Sequence, residues 1–121
     1  MNEPGRSLLD PDLVRTLLEF RHARDWKQFH TPKNLASAIA VEAAELLEHF
    51  IWDINPGQPD LVDRDRVAIE AEVADILILL TYLVHDLSID VTAAVSAKVA
   101  GNAEKYPVET FYGSNRKYTD P

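Results

Sequence analysis

Glu72-Val73-Ala74-Asp75-Ile76-Leu77-Ile78-Leu79-Leu80 sets two acidic residues three apart at the head of an apolar run. Residues three apart share one face of a helix, so Glu72 and Asp75 present two carboxylates to one point. The surrounding pattern predicts a helix over about residues 63–87. Its second half is nearly all apolar, the composition of a central, buried helix. Asp75 is therefore expected to be buried, and a buried carboxylate without a partner costs several kcal/mol. Few basic residues lie nearby in sequence to serve it. A hard divalent cation, Mg²⁺ or Mn²⁺, is the sharper expectation, because these ions prefer carboxylate oxygens.

The rest of the chain builds outward from this helix. Asp10-Pro11 reads as an N-cap followed by proline at the first helical position, opening a helix to about residue 29. Thr31-Pro32 repeats the signal and opens a second, over about residues 32–52. Asn55-Pro56-Gly57-Gln58-Pro59 is a loop. Asp90 caps a fourth helix that runs to about residue 105, and Pro107 ends it. The tail from about residue 108 reads as irregular. No alternating strand pattern persists and no repeat is found. The expectation is an all-α bundle of four helices in one domain, residues 1–121.

A second acidic pair, Glu42 and Glu45, stands on the second predicted helix with the same spacing. At 100° per residue, Asn34, Ala38, Glu42, Glu45, His49 and Trp52 fall in one sector. Leu35, Ile39, Ala43, Leu46, Leu47 and Phe50 fill the sector beside it, so the acidic stripe borders the core. On the third helix Asp65, Ala68, Glu72, Asp75, Leu79, Tyr82 and Asp86 share a face. Two adjacent helices bring four carboxylates together, a known way to build a metal site in a bundle. With 20 acidic residues in the chain, a single such pair is more often a solvated face. The matched pairs carry the reading.

Bulk properties narrow the function. The 121 residues are 46% hydrophobic, which suits one folded core. A net charge of −8 argues against binding nucleic-acid backbones or anionic membranes. It leaves room for a small phosphorylated ligand held through metal. Cysteine is absent, which excludes disulfides and thiolate metal sites. No apolar stretch approaches the ~20 residues of a membrane span, and the first residues lack a signal-peptide core, so the expected compartment is the cytoplasm.

Aromatic and basic residues offer a ligand site. Trp26, Phe29 and His30 close the first helix, and Trp52 closes the second. Core packing is the commoner role of a single tryptophan, but Trp52 shares its sector with Glu42 and Glu45. An indole beside a metal makes a stacking wall for a nucleobase. Lys98, Asn102 and Lys105 share a face of the fourth helix, with Tyr106 next, and read either as a solvated lysine face or as a cluster that neutralises phosphates. Arg116 and Lys117 in the tail fit the same role.

These residues assemble into a resemblance. Ala23-Arg24-Asp25-Trp26-Lys27-Gln28-Phe29-His30-Thr31-Pro32-Lys33-Asn34-Leu35 closely resembles the start of the all-α dCTP pyrophosphatases, within the MazG-like nucleoside triphosphate pyrophosphohydrolase superfamily. The superfamily signature, E-x-x-E followed by E-x-x-D, matches Glu42-Ala43-Ala44-Glu45 and Glu72-Val73-Ala74-Asp75. Phe50-x-Trp52, Lys105-Tyr106-Pro107-Val108 and Gly113-Ser114-x-x-Lys117-Tyr118-Thr119-Asp120 match in order, so the likeness covers about residues 8–121. The carboxylates are a superfamily-level signal; the block around Trp26 to Asn34 and the tail are more specific.

The resemblance implies that Glu42, Glu45, Glu72 and Asp75 hold Mg²⁺, and that a nucleoside triphosphate is split between the α and β phosphates. It implies a nucleotide pocket containing Trp26, His30, Asn34 and Trp52, fourth-helix contacts from Asn102, Lys105 and Tyr106, a homotetramer, and dCTP or its 5-substituted analogues as substrate. Glu42 or Glu45 is expected to accept the proton of the attacking water. Val41, Leu79 and Leu17 stand where some relatives carry a glutamate, a tyrosine and a polar residue, and Tyr82 lies one step further round. These departures bear on the base and leave the carboxylates intact. The rival readings are the same reaction on dUTP or an oxidised purine triphosphate, and a non-enzymatic helical self-association or metal-binding module.

Overall fold

The computed structural model describes residues 7–51 and 59–120, with the backbone alone at 59–62 and 64. The described residues are helical and contain no strand. Four long helices, α1 (Pro11–Ala23), α2 (Pro32–Glu48), α3 (Pro59–Asp86) and α4 (Val91–Lys105), are followed by a short α5 (Val108–Phe111).

The three expected start signals operate as read. The Asp10 side chain accepts from the Asp12 amide, that of Thr31 from Asn34, and that of Asp90 from Ala93. Each cap supplies an acceptor to an amide that has no partner within its helix. The stops differ from expectation. α1 ends at Ala23 rather than near residue 29, because Asp25 turns left-handed (φ 52°). The Trp26 amide then donates to the Arg21 carbonyl and the Asp25 amide to that of His22, the paired closure of a Schellman motif. A 3₁₀ turn (Lys27–Phe29) separates α1 from α2. α3 closes the same way through Ser88 (φ 54°), with Ile89 donating to Val84 and Ser88 to His85. α2 stops at Glu48, short of residue 52, which lies outside the described residues. α3 starts at Pro59, earlier than expected, and the tail read as irregular contains α5.

α3, about 42 Å long at 1.5 Å per residue, is the spine. α2 packs along it and α1 rests on it. Leu17 meets Tyr82 and Arg21 meets Asp86, one turn apart on each helix, so α1 and α3 run in the same direction there. Among the described residues, Val14, Leu35, Tyr82 and Val84 are the buried apolar ones, Leu35 being 1% exposed. That is a thin core. α4 packs extensively on none of the other helices, and its Val95 and Val99 are 56% and 60% exposed.

The expectation that Asp75 is buried is not met: its side chain is exposed, and Val73 beside it is exposed as well. The apolar run does not bury all its faces within this chain. Among the described residues no helix is long and apolar enough to cross a membrane.

Candidate metal centre and nucleotide site

Glu42 and Glu45 stand one turn apart on α2, and Glu72 faces them from α3. One carboxylate oxygen from each lies within 4.8 Å of the others. Two oxygens of the group, Glu42 Oε2 and Glu72 Oε2, are buried without a hydrogen-bond donor among the described residues. Carboxylates only accept, so three of them brought together need a proton or a cation between them. The proton goes to Glu42, whose carboxyl is raised from 4.5 to about 7. A hydrogen bond shared with Glu45 is the main cause. Burial, a second hydrogen bond with Glu72, and the charges of Glu45 and Asp75 add to it.

Asp75, one turn along α3 from Glu72, lies close enough for its charge to act on Glu42, but its oxygens are not in the converging set. The sequence places His49 in the acidic sector of α2. Its Nε2 is 3.9 Å from Glu72 Oε1, so it forms the edge of the centre. The donor set is oxygen-rich and anionic, with its buried lone pairs facing inward. That chemistry fits a hard divalent cation.

The expected nucleotide contacts are only partly assembled. His30 closes the 3₁₀ turn and packs against the Tyr82 ring, centroids 5.2 Å apart at 37°. Burial and the charge of Arg21 lower its proton affinity, and Asp86 partly offsets them. Asn34 is exposed, and its amide donates to the Phe29 carbonyl at 2.9 Å, which fixes the turn before α2. Trp26 is 43% exposed and meets Phe20 edge-on at 5.6 Å. Trp52 lies outside the described residues.

On α4, Asn102 is exposed, and Lys105 sits over the Tyr118 ring at 4.9 Å. Tyr106 packs edge-on against Phe111 and Tyr118, so the tail folds back on the end of α4. Asn102, Lys105 and Tyr106 thus belong to a helix that barely touches the acidic centre's own helices.

Sequence reading missed a buried polar cluster beside His30. Arg21, 3% exposed, donates to both oxygens of Asp86 at 2.9 and 2.8 Å. Its guanidinium also lies 4.5 Å from the centre of the Tyr82 ring. A signal for it existed: Val14, Leu17, Leu18 and Arg21 form one helical stripe, and an arginine on an apolar stripe calls for a carboxylate. A hollow of about 210 Å³ beside it is lined by Leu18, Arg21, His22, Lys27 and His85.

A model of the MazG-like family matches residues 37–120, which include all three converging glutamates. The chain belongs to the MazG-like family. It is 40% identical to dCTP pyrophosphatase 1 of Rattus norvegicus over 111 residues, 90% of this chain and 65% of that protein. The chain therefore spans just under two thirds of the rat relative's length. It is 39% identical to dCTP pyrophosphatase 1 of Homo sapiens over 124 residues, 97% of this chain and 73% of that protein. Among solved structures, a pyrophosphatase from Archaeoglobus fulgidus superposes with a TM-score of 0.75 at 41% identity, covering 79% of this chain and 90% of that one. The all-helical MazG-like architecture read from the sequence is thereby borne out.

Proposed function

We propose that this chain is a Mg²⁺-dependent nucleoside triphosphate pyrophosphohydrolase that acts on dCTP or its 5-substituted analogues and releases the monophosphate and pyrophosphate. The observation that carries the reading is the convergence of Glu42, Glu45 and Glu72 around buried oxygens that lack a donor, in a MazG-like chain. The names of the mammalian relatives support the substrate.

Glu42, Glu45 and Glu72 would hold the cation, with Asp75 one turn along to complete the set. A bound divalent ion neutralises phosphate charge and acidifies water. Glu42 or Glu45, whichever is not fully engaged with the cation, is the group to take the proton of the attacking water. Trp26 and Trp52 would wall the base, while His30 and Asn34 read its polar edge. Asn102, Lys105 and Tyr106 would meet the phosphates.

Those last three residues come from a second copy of the chain in this reading. α4 makes little contact with its own α2 and α3, and its Val95 and Val99 are open. A homotetramer is the assembly we propose.

The test is a panel of nucleoside triphosphates with Mg²⁺, scored for monophosphate and pyrophosphate. dCTP is expected to be turned over fastest. Orthophosphate as the product, or no hydrolysis of any triphosphate, would refute the reading, and a preference for dUTP would move the substrate.

A further inference from the structure

The cluster around His30 has no part in the metal centre, and its construction is specific. Arg21 comes from α1 and Asp86 from α3, joined by a two-pronged ion pair with side chains 4% and 12% exposed. A pair so buried is a costly way to join two helices, and apolar residues of similar size often do it as well. The pair also does more than join them. Arg21 lies against the face of Tyr82, the Tyr82 hydroxyl donates to the Leu17 carbonyl at 2.9 Å, and the Tyr82 ring is thereby pinned beneath His30.

His30 Nδ1 is buried and, among the described residues, has no hydrogen-bond partner. A buried N–H without an acceptor is rarer in proteins than an acceptor without a donor. The lone pair therefore belongs on Nδ1 and the proton on Nε2. The charged groups that face the ring are Arg21 from α1 and Asp86 from α3, with Tyr82 as its stacking partner. Of the two charges Arg21 has the larger effect, and burial acts in the same direction. Both disfavour a second ring proton.

We propose that Arg21, Asp86 and Tyr82 are positioning residues of the nucleotide site: they hold His30 as a neutral imidazole with its single proton on Nε2. The site then has one fixed donor, which suits a ring-nitrogen or carbonyl acceptor on a base. A charged imidazole would offer donors at both nitrogens and blur that choice. The inference rests on the reading of His30 as a nucleotide contact.

The experiment is a ¹⁵N NMR titration of histidine-labelled protein without nucleotide, so it needs no turnover. Wild type is expected to show His30 as the Nε2–H tautomer. Arg21→Met should raise its titration midpoint. Asp86→Asn, which leaves Arg21 without its counter-charge, should lower it. Damage to packing alone would move both variants in the same direction. A wild-type Nδ1–H tautomer, or midpoints that move together or not at all, would overturn the proposal. Arg21→Lys keeps the charge and should leave the midpoint near wild type. If Arg21→Met does not fold, Arg21→Lys and Asp86→Asn decide the matter between them.

The kinetic counterpart is base discrimination: at a pH below its raised midpoint, Arg21→Met should lower the ratio of kcat/KM for dCTP over that for dTTP about three- to tenfold, because the charged ring keeps its Nε2–H and adds a donor at Nδ1. A discrimination ratio unchanged in a variant whose His30 midpoint has shifted would overturn the positioning role. A protein without pyrophosphohydrolase activity would still give the NMR result, which separates this inference from the reaction assigned above.

Discussion

Replacing Glu42 by glutamine keeps the shape of the side chain and fixes it in the equivalent of its protonated form. In the free protein Glu42 carries a proton up to about pH 7, chiefly through the hydrogen bond with Glu45. The folded state thus binds more protons than the unfolded state between 4.5 and about 7. The stability this group contributes is fully present below 4.5 and is lost as pH rises through about 7. Chelator-treated wild type should therefore melt at a lower temperature at pH 8 than at pH 5. Glu42→Gln should flatten that dependence and melt higher than wild type at pH 8, because its amide donates to Glu45 and Glu72 at every pH.

A cation must displace the same proton. With a carboxyl at about 7, metal binding should release about 0.9 proton from Glu42 at pH 6 and about 0.1 at pH 8. Calorimetric titration with Mn²⁺ in two buffers of different ionisation heat counts these protons. In Glu42→Gln the release from this group vanishes, and affinity should fall at least about 100-fold, the upper end of what even outer-shell partners contribute. Wild-type proton release that is equal at pH 6 and pH 8, or a variant that binds Mn²⁺ as tightly as wild type, would refute the reasoning that these glutamates form a cation site.

Three further outcomes are expected. Asp86→Ala leaves Arg21 buried without its partner and should cost about 3–5 kcal/mol in urea melts. Arg21 holds the Asp86 carboxyl below its usual range, so this contribution should fade as pH falls through that lowered value. Ser88→Gly removes a side chain from a left-handed position and should stabilise the fold by about 0.5 kcal/mol, the relief of strain exceeding the added entropy cost of ordering a glycine; an unchanged melt would count against the closure described at the end of α3. Val99→Asp places a charge on the open stripe of α4 and should shift the mass seen by light scattering toward smaller species while helical circular dichroism holds. An unchanged mass would show that α4 is not a subunit contact.

Helix starts were legible because caps are local chemistry: Asp10, Thr31 and Asp90 each act on an amide two or three residues away. The stop of α1 was not. It depends on Asp25 in a left-handed conformation where glycine is the usual sign, and the helical pattern of Trp26 and Phe29 runs on past it. The convergence of Glu42, Glu45 and Glu72 followed from two spacings and one helix pairing. The exposure of Asp75 did not, because burial is a property of everything that packs on a residue and α3 has faces that this chain leaves open. Arg21 stood out of place in an apolar stripe, while Asp86 shared its face with Asp65, Glu72 and Asp75 and so did not stand out. The union of Arg21 and Asp86 joins positions 65 apart, which no local pattern encodes.

The acidic centre and the thin core bear on each other. Three carboxylates within 4.8 Å oppose folding once Glu42 loses its proton, and Val14, Leu35, Tyr82 and Val84 offer little apolar burial to offset them. A cation that binds the folded chain alone adds stability as its logarithmic saturation, about 2.7 kcal/mol at 100 times the dissociation constant. A second copy of the chain adds stability in the same way, through its own concentration. Cation and partner should therefore be additive if they act at separate surfaces. They should be cooperative if α4 of one copy closes over the glutamates of another, since each would then bind more tightly to a chain that already holds the other. Melting the protein across a grid of Mg²⁺ and protein concentrations distinguishes the two: parallel curves mean independent sites, and curves that steepen with Mg²⁺ mean that the metal centre is shared between subunits.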